Sequence, residues 1–145
     1  MAKHKLDWSK FDRGVFLVNV LGIVYDPKKK LILIGRREKD PLVKELSWTF
    51  PGGRPGYAHD VQYDLKHEIK VKTGVDVNVK SVIMARIPPE HSEFFLVYYY
   101  CEYRKGVAKA GERFVEVKWI KPSEAKKYFT TSLHPEVAAF LKTLL

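Results

Sequence analysis

The chain has 145 residues, of which 46% are apolar and 30% charged, a balance typical of a globular protein rather than a disordered chain. We expect a single domain over residues 1–145, with a polar lead-in at residues 1–13. No apolar run approaches the roughly 20 residues of a membrane span, and the basic start lacks the apolar core of a signal peptide. We therefore expect a cytoplasmic location and no membrane association, and the single cysteine, Cys101, excludes an internal disulfide.

The charge balance is strongly basic. Lys and Arg total 26 against 17 Asp and Glu, so the formal net charge is +9. A positive field favours anionic partners such as nucleotides or RNA. Because the cations are spread along the chain, a well-solvated lysine surface is the alternative. Only three amide side chains accompany these charges, a composition that suggests a thermophilic source and makes thermal adaptation a second origin of the basic surface.

The first predicted elements are strands. The Val-rich run at residues 15–25 predicts a buried strand, and residues 31–37 predict its hairpin partner. Between them, Asp26-Pro27 followed by three lysines is typical of a solvated turn. A short strand at residues 46–50 then leads into Pro51-Gly52-Gly53.

Residues 60–72 predict the central helix. Val61, Leu65 and Ile69 recur at four-residue steps and form an apolar stripe. Asp60 is a natural N-cap, and Gly74 suits a left-handed C-cap. This helix should therefore pack one face against the sheet.

The second half alternates strands with short helices. Residues 75–87, 94–103 and 113–120 predict strands, and residues 121–124 open a short helix. The last helix begins at His134-Pro135 and faces the core through Val137, Phe140, Leu141 and Leu144. This order of elements predicts an α+β fold, an α/β/α sandwich.

Residues 48–75 resemble the signature box of the Nudix hydrolases, Gly-x5-Glu-x7-Arg-Glu-U-x-Glu-Glu-x-Gly-U, where U is a bulky aliphatic residue. Gly53 and Gly74 align with the two box glycines, and Glu68 matches the Glu after the Arg. Four other box positions carry different side chains. His59 stands in place of the first Glu, His67 in place of the Arg, and Val71 and Lys72 in place of the final Glu-Glu pair. Residues 23–37 and 116–124 also resemble family segments. The resemblance implies the Nudix fold, a mixed central sheet with the box helix on one face and C-terminal helices, and it alone implies a homodimer.

The same resemblance implies a metal site, which the substitutions disturb. The family helix holds Mg²⁺ through three glutamates, whose positions are occupied here by Glu68, Val71 and Lys72. Val71 offers no ligand, and Lys72 places a cation where a cation should bind. Lys72 can pair with Glu68 at i,i+4 and substitute for the metal, or both can belong to an exposed salt-bridged face. We expect no cofactor, or Mg²⁺ or Mn²⁺ on Glu68 and Asp64 if hydrolysis persists. Surface histidines and a helix cap explain His59, His67 and Asp60 better than a recruited metal.

The features suited to binding a substrate match the family more closely than the metal ligands do. Backbone amides of Gly52 and Gly53 can approach a ligand closely, and arginine forks suit phosphate. The resemblance implies nucleotide contacts near Arg36, Arg37 and Arg54, whereas Trp48 and Tyr57 offer faces for base stacking. The alternatives are that the strand-end arginines face solvent and that the aromatic residues pack in the core. The candidate catalytic residues are Glu68 and Glu116, with Glu90 and Glu93 as further possible bases.

Three functions fit these observations. The favoured one is a Nudix-fold protein with a degraded metal site that binds a nucleotide or RNA phosphate group, with weak or no hydrolysis. The second is a divergent active hydrolase that cleaves a nucleoside diphosphate derivative. The third is a structural subunit of a complex.

Overall fold

Seven β-strands form one mixed sheet within residues 7–10 and 13–144, the part of the chain that the computed structural model describes. The strands are β1 (Leu17–Asp26), β2 (Leu31–Arg36), β3 (Trp48–Thr49), β4 (Gly52–Gly53), β5 (Asp76–Arg86), β6 (Phe94–Lys105) and β7 (Glu116–Ile120). The helices are α1 (Val61–Thr73), α2 (Ala125–Tyr128) and α3 (Pro135–Lys142), and short 3-10 turns cover Trp8–Lys10 and Pro122–Glu124. Of the predicted lead-in, residues 1–6, 11 and 12 lie outside the described residues.

The strand order is β3-β2-β1-β6-β5, with β4 paired to β1 and β7 paired to β2. The central pair, β1 and β6, is parallel from Leu17 opposite Phe94 to Tyr25 opposite Glu102. The remaining strand pairs are antiparallel. The sheet is therefore mixed, as the resemblance implied.

The β1–β2 hairpin closes through the turn that the sequence predicts. The Asp26 side chain accepts backbone hydrogen bonds from Lys28 at 2.9 Å and Lys29 at 3.3 Å. Lys30 completes the turn in the left-handed region with φ of 59°. Short-range hydrogen bonding of this kind is why Asp initiates turns.

Helix α1 packs its predicted stripe on one face of the sheet. Leu65 and Ile69 are fully buried, and Val61 packs beside them at the helix start. Burying each of the larger side chains contributes about 1.5–3 kcal/mol. Gly74 ends the helix with φ of 75°, as predicted. Asp60 occupies the N-cap position, but the expected side-chain cap is wrong, because its side chain makes no capping hydrogen bond.

Helices α2 and α3 cover the opposite face. Neighbouring residues of β1 belong to the cores on opposite faces of the sheet. Ile23 packs in the core with Val137 and Leu141 of α3. Val24 packs in the other core with Leu65 of α1. All five side chains are fully or almost fully buried. The α/β/α arrangement and the α+β class are therefore confirmed.

Two strand predictions need correction. The strand predicted as buried from residue 15 begins at Leu17, and Leu17 and Val18 are 37% and 36% exposed. In this part β1 pairs with β6 alone among the described strands, because β4 reaches only Val20 and Leu21. The strand predicted from residue 113 begins at Glu116, after a turn that carries a left-handed backbone at residue 113.

Cys101 lies in β6 and is completely buried. Burial raises the pKa of its thiol to about 12, so the reactive thiolate is scarce at neutral pH. Cys101 is therefore a packing residue and a poor nucleophile.

Among the helices that the structure describes, none has the length and apolar character needed to cross a membrane.

Candidate active site

A cavity of about 620 Å³ lies beside α1, between the Gly52-Gly53 segment and the loops at residues 37–46, 111–114 and 129–133. Charged side chains of both signs line it. The arginine and lysine side chains are Arg37, Arg54, Lys72, Arg86 and Arg113. The carboxylates are Asp40, Glu68, Glu90 and Glu112. The cavity therefore brings box residues together with side chains from distant loops.

Lys72 is held inside this site. It is 8% exposed, its ammonium donates a hydrogen bond to the Gly52 carbonyl, and its Nζ lies 3.4 Å from Oε2 of Glu68. Burial lowers the pKa of Lys72, and the Glu68 carboxylate opposes that shift. The i,i+4 pair of the sequence analysis is therefore present. Its lysine is buried, so Lys72 does not belong to an exposed salt-bridged face.

Close packing against backbone requires glycine at position 52, and Gly53 lies against the Glu68 side chain. A Cβ on Gly52 would lie 1.9 Å from the backbone oxygen of Val20, and one on Gly53 would lie 2.9 Å from the Glu68 side chain. Both glycines line the cavity. The segment thus brings β1, the Glu68 carboxylate and the Lys72 ammonium close to one another, and at Gly52 a larger residue would collide with the β1 backbone.

The three candidate arginines lie in different surroundings. Arg37 lines the cavity and pairs with Asp40 at 2.8 Å. Arg54 also lines the cavity and has no carboxylate partner among the described residues. Arg36 instead pairs with Glu38 at 2.7 Å and with Glu116 at 3.1 Å. Neither Arg36 nor the candidate base Glu116 lines the cavity.

Trp48 and Tyr57 also lie away from the cavity. Trp48 packs edge-on against Tyr128, with ring centroids 5.3 Å apart, and Tyr57 is fully exposed. Among the remaining candidates, Asp64 accepts a hydrogen bond from the Gly56 amide at 2.8 Å and does not line the cavity. These residues are therefore not brought together with Glu68 around the cavity.

Other aromatic residues line the cavity in their place. Phe50 packs edge-on against Phe129 at 4.8 Å and against Tyr98 at 6.2 Å between ring centroids. All three line the cavity. The sequence signal for Phe50 was its place directly before Pro51-Gly52, and for Tyr98 its place in the aromatic-rich strand predicted at residues 94–103. Phe129 carried no local signal, because it reaches the site from the chain that follows α2.

The donors around Glu68 do not fit a magnesium site of the family type. The described residues contain no group of three or more His, Cys, Asp or Glu side chains placed to hold one ion. His59 stacks on Tyr63 at 4.2 Å, and the Glu68 carboxylate is paired with Lys72. Where the family signature supplies three glutamates, this turn of α1 offers one carboxylate, and that carboxylate is already paired with a lysine ammonium.

A second group of charges borders the cavity around His91, and sequence analysis missed it. His91 Nε2 lies 2.9 Å from Glu45 Oε1, and Nδ1 lies 3.3 Å from Glu93 Oε1. Hydrogen bonding to Glu45 raises the pKa of His91 above its ordinary value. Nearby, Arg86 donates to Ser132 Oγ at 2.9 Å. The His91–Glu45 and Arg86–Ser132 contacts each join residues 46 positions apart, so no local pattern could have found them.

Comparison with known proteins identifies the family. The NUDIX domain model matches residues 15–143. Three similar solved structures are a NUDIX hydrolase from Nitrosomonas europaea (TM-score 0.73, 14% identity, 89% of this chain and 72% of that chain), a MutT protein from Methanosarcina mazei Go1 (0.68, 16%, 91% and 94%) and an ADP-ribose pyrophosphatase from Streptococcus suis 89-1591 (0.67, 15%, 87% and 90%). No sequence among curated proteins matches significantly. The structural matches show a shared fold, and because the family model spans most of the sequence, the chain belongs to the Nudix family.

Proposed function

We propose that this chain binds the phosphate group of a nucleotide or RNA in the cavity beside α1, with metal-dependent hydrolysis weak or absent. The position of Lys72 carries this proposal. The family signature has a glutamate there, whereas this chain has a buried ammonium bonded to the Gly52 carbonyl and paired with Glu68. The Nudix family as a whole is one of nucleoside diphosphate hydrolase-like proteins, so a nucleotide-derived ligand is the natural expectation.

The chemistry of Lys72 separates binding from turnover. In metal-assisted hydrolysis the cation neutralises phosphoryl oxygens and also lowers the pKa of the attacking water. A lysine ammonium can donate hydrogen bonds to phosphate oxygens and neutralise one charge. It cannot coordinate a water molecule and activate it as a nucleophile. Replacing a metal ligand with Lys72 therefore keeps affinity for phosphate and removes the main source of rate.

The size and lining of the cavity favour a nucleotide over an RNA strand. Its volume of about 620 Å³ falls within the range of roughly 300–1,000 Å³ that small-molecule sites occupy. The rings of Phe50, Tyr98 and Phe129 supply apolar surface for a base, and Arg54 supplies donors for phosphate. We therefore place the ligand inside the cavity.

Calorimetric titration of ADP and of inorganic pyrophosphate, with Mg²⁺ and separately with EDTA, tests the proposal. We expect the wild-type protein to bind both compounds equally well in the two buffers, because Lys72 and not a metal meets the phosphate. The double variant Val71→Glu, Lys72→Glu restores the carboxylates of the signature. It should bind pyrophosphate only when Mg²⁺ is present.

Hydrolysis is measured in parallel on nucleoside triphosphates, nucleoside diphosphate sugars and dinucleoside polyphosphates, with Mg²⁺ or Mn²⁺. The divergent-hydrolase alternative has one observation in its favour, since Glu90 and Glu112 line the same cavity as Glu68. Metal-dependent turnover that is lost in Glu68→Gln would establish that alternative and overturn our proposal. Binding of a single-stranded RNA without any binding of ADP would move the ligand out of the cavity.

A further inference from the structure

The loop at residues 109–114 is fastened to the C-terminal end of α1. The amide of Lys109 donates to the Thr73 carbonyl at 2.8 Å, and the amide of Gly111 donates to the Lys72 carbonyl at 2.8 Å. A Cβ on Gly111 would lie 2.2 Å from the backbone oxygen of Val71, so the two segments are in close contact. These bonds satisfy carbonyl groups that a helix end leaves unpaired. They also fix Arg113, two residues after Gly111, beside the helical turn that carries Lys72.

Arg113 has an unusual backbone for its residue type. Its φ is 66°, in the left-handed region that glycine adopts most readily. Lys30 and Lys39 share this feature among the described non-glycine residues, but neither lines the cavity, whereas Arg113 does. Strained positions tend to persist at functional sites, where the side chain is required in a particular place. Among the described residues, Arg113 is therefore the only non-glycine residue with a left-handed backbone that lines the cavity.

The charges around Arg113 leave its guanidinium available to a ligand. Within the described chain Arg113 has no carboxylate partner, whereas Arg37 is paired with Asp40 and Lys72 with Glu68. Burial lowers the pKa of Lys72, Glu68 opposes that shift, and the positive charges of Arg37 and Arg113 lower it further. Arg113 and Lys72 line the same cavity, and the loop of Arg113 is bonded to the Lys72 carbonyl, so the two cations repel one another. An anion between them would relieve that repulsion.

We infer that Arg113 and Lys72 form a metal-free clamp for the phosphoryl oxygens of a phosphate or diphosphate ester, with Arg113 as a binding residue contributed from outside the box. This inference rests on the proposed function and adds a residue to it. A guanidinium presents paired N–H donors that match two phosphate oxygens, and an ammonium adds a point charge. The clamp places one donor group on α1 and the other on the loop that is fastened to the end of α1.

The test is calorimetric titration of inorganic pyrophosphate in EDTA against wild type, Arg113→Gly, Arg113→Lys and Lys30→Gly. Glycine accepts the left-handed backbone, so Arg113→Gly should fold normally and unfold thermally close to wild type. We expect it to weaken pyrophosphate binding about 10-fold to 100-fold, the range for losing charge-assisted hydrogen bonds. Arg113→Lys, which keeps the charge and loses the fork, should lie between the two.

Lys30→Gly is the matched control. It makes the same kind of change at a left-handed position, removes one positive charge and lies in the exposed β1–β2 turn. Its affinity for pyrophosphate should equal that of wild type. If Arg113→Gly also binds like wild type, the clamp is overturned while the proposed function stands. If the wild-type protein itself binds no pyrophosphate and no ADP, both are overturned.

Discussion

The cavity borders two groups of charged side chains that are held in opposite ways. In the first, the Lys72 cluster, a lysine that is 8% exposed is fixed by the Gly52 carbonyl and by Glu68. In the second, the His91 cluster, His91 lies between Glu45 and Glu93, whose side chains are 45% and 53% exposed. Both clusters pair a cation with nearby oxygen atoms. They differ in whether water can replace those partners.

This difference in exposure predicts how strongly a substitution in each cluster will affect the protein. Removing one member of a buried pair leaves the other without hydration, so the loss is large. Removing one member of an exposed pair lets water take its place, and such pairs contribute little to stability. Changes in the Lys72 cluster should therefore alter both folding and binding. Changes in the His91 cluster should alter mainly the response to pH.

The largest effect is expected at the backbone that holds the Lys72 cluster. In Gly52→Ala the new methyl group would lie 1.9 Å from the backbone oxygen of Val20, an atom that cannot move without displacing β1. We expect the free energy of unfolding to fall by at least about 3 kcal/mol. Urea unfolding followed by circular dichroism measures this loss.

Gly56→Ala is the matched control for Gly52→Ala. A Cβ on Gly56 meets nothing closer than Asp64 Oδ2 at 4.0 Å, so its unfolding free energy should stay within about 0.5 kcal/mol of wild type. Equal stability of Gly52→Ala and Gly56→Ala would show that Gly52 is not fixed by packing. The glycine would then be explained by the approach of a ligand alone. The claim that a tightly packed backbone holds the Lys72 cluster would be wrong.

The next effect is expected from the ammonium itself. Lys72→Met keeps the length of the side chain and leaves the buried Gly52 carbonyl without this donor. We expect a loss of about 1–3 kcal/mol, the range for an unsatisfied buried acceptor. Glu68→Gln should lower the free energy of unfolding by less. In that variant Lys72 still donates its hydrogen bond to the Gly52 carbonyl, and the side chain at position 68 is partly exposed to water. A Lys72→Met protein as stable as wild type would mean that the ammonium is retained for the ligand only.

The sequence predicted most of the frame around these clusters because the frame depends on local signals. The stripe of Leu65 and Ile69, the left-handed Gly74 and the Asp26 turn follow from periodicity and from the chemistry of single residues. The Glu68–Lys72 pair followed from i,i+4 spacing. The burial of Lys72 did not follow, because it depends on a carbonyl 20 residues away in the chain.

The parts of the site that sequence analysis missed all depend on packing between distant loops. Arg113 reaches the cavity because backbone bonds attach its loop to α1, and a run of polar residues gives no sign of that attachment. His91 meets Glu45 across 46 positions. Conversely, Trp48 and Tyr57 looked suited to base stacking by residue type, but the structure places them away from the cavity. Residue type alone does not say which side of a strand or loop faces the site.

The smallest effect is expected in the exposed His91 cluster. Hydrogen bonding to Glu45 raises the pKa of His91, so the folded chain binds this proton more tightly than the unfolded chain does. The resulting stabilisation is complete below the unfolded histidine pKa of about 6.5 and is lost as pH rises through the higher folded value. His91→Gln should therefore be less stable than wild type at about pH 5.5 and equal to it well above pH 8, as urea unfolding across this range would show. His67→Gln, a change of the same type at an exposed α1 histidine with no ion pair among the described residues, is the matched control. A deficit in His91→Gln that persists unchanged at high pH would mean that the ring acts by packing against Phe94 and that the ion pairs contribute nothing.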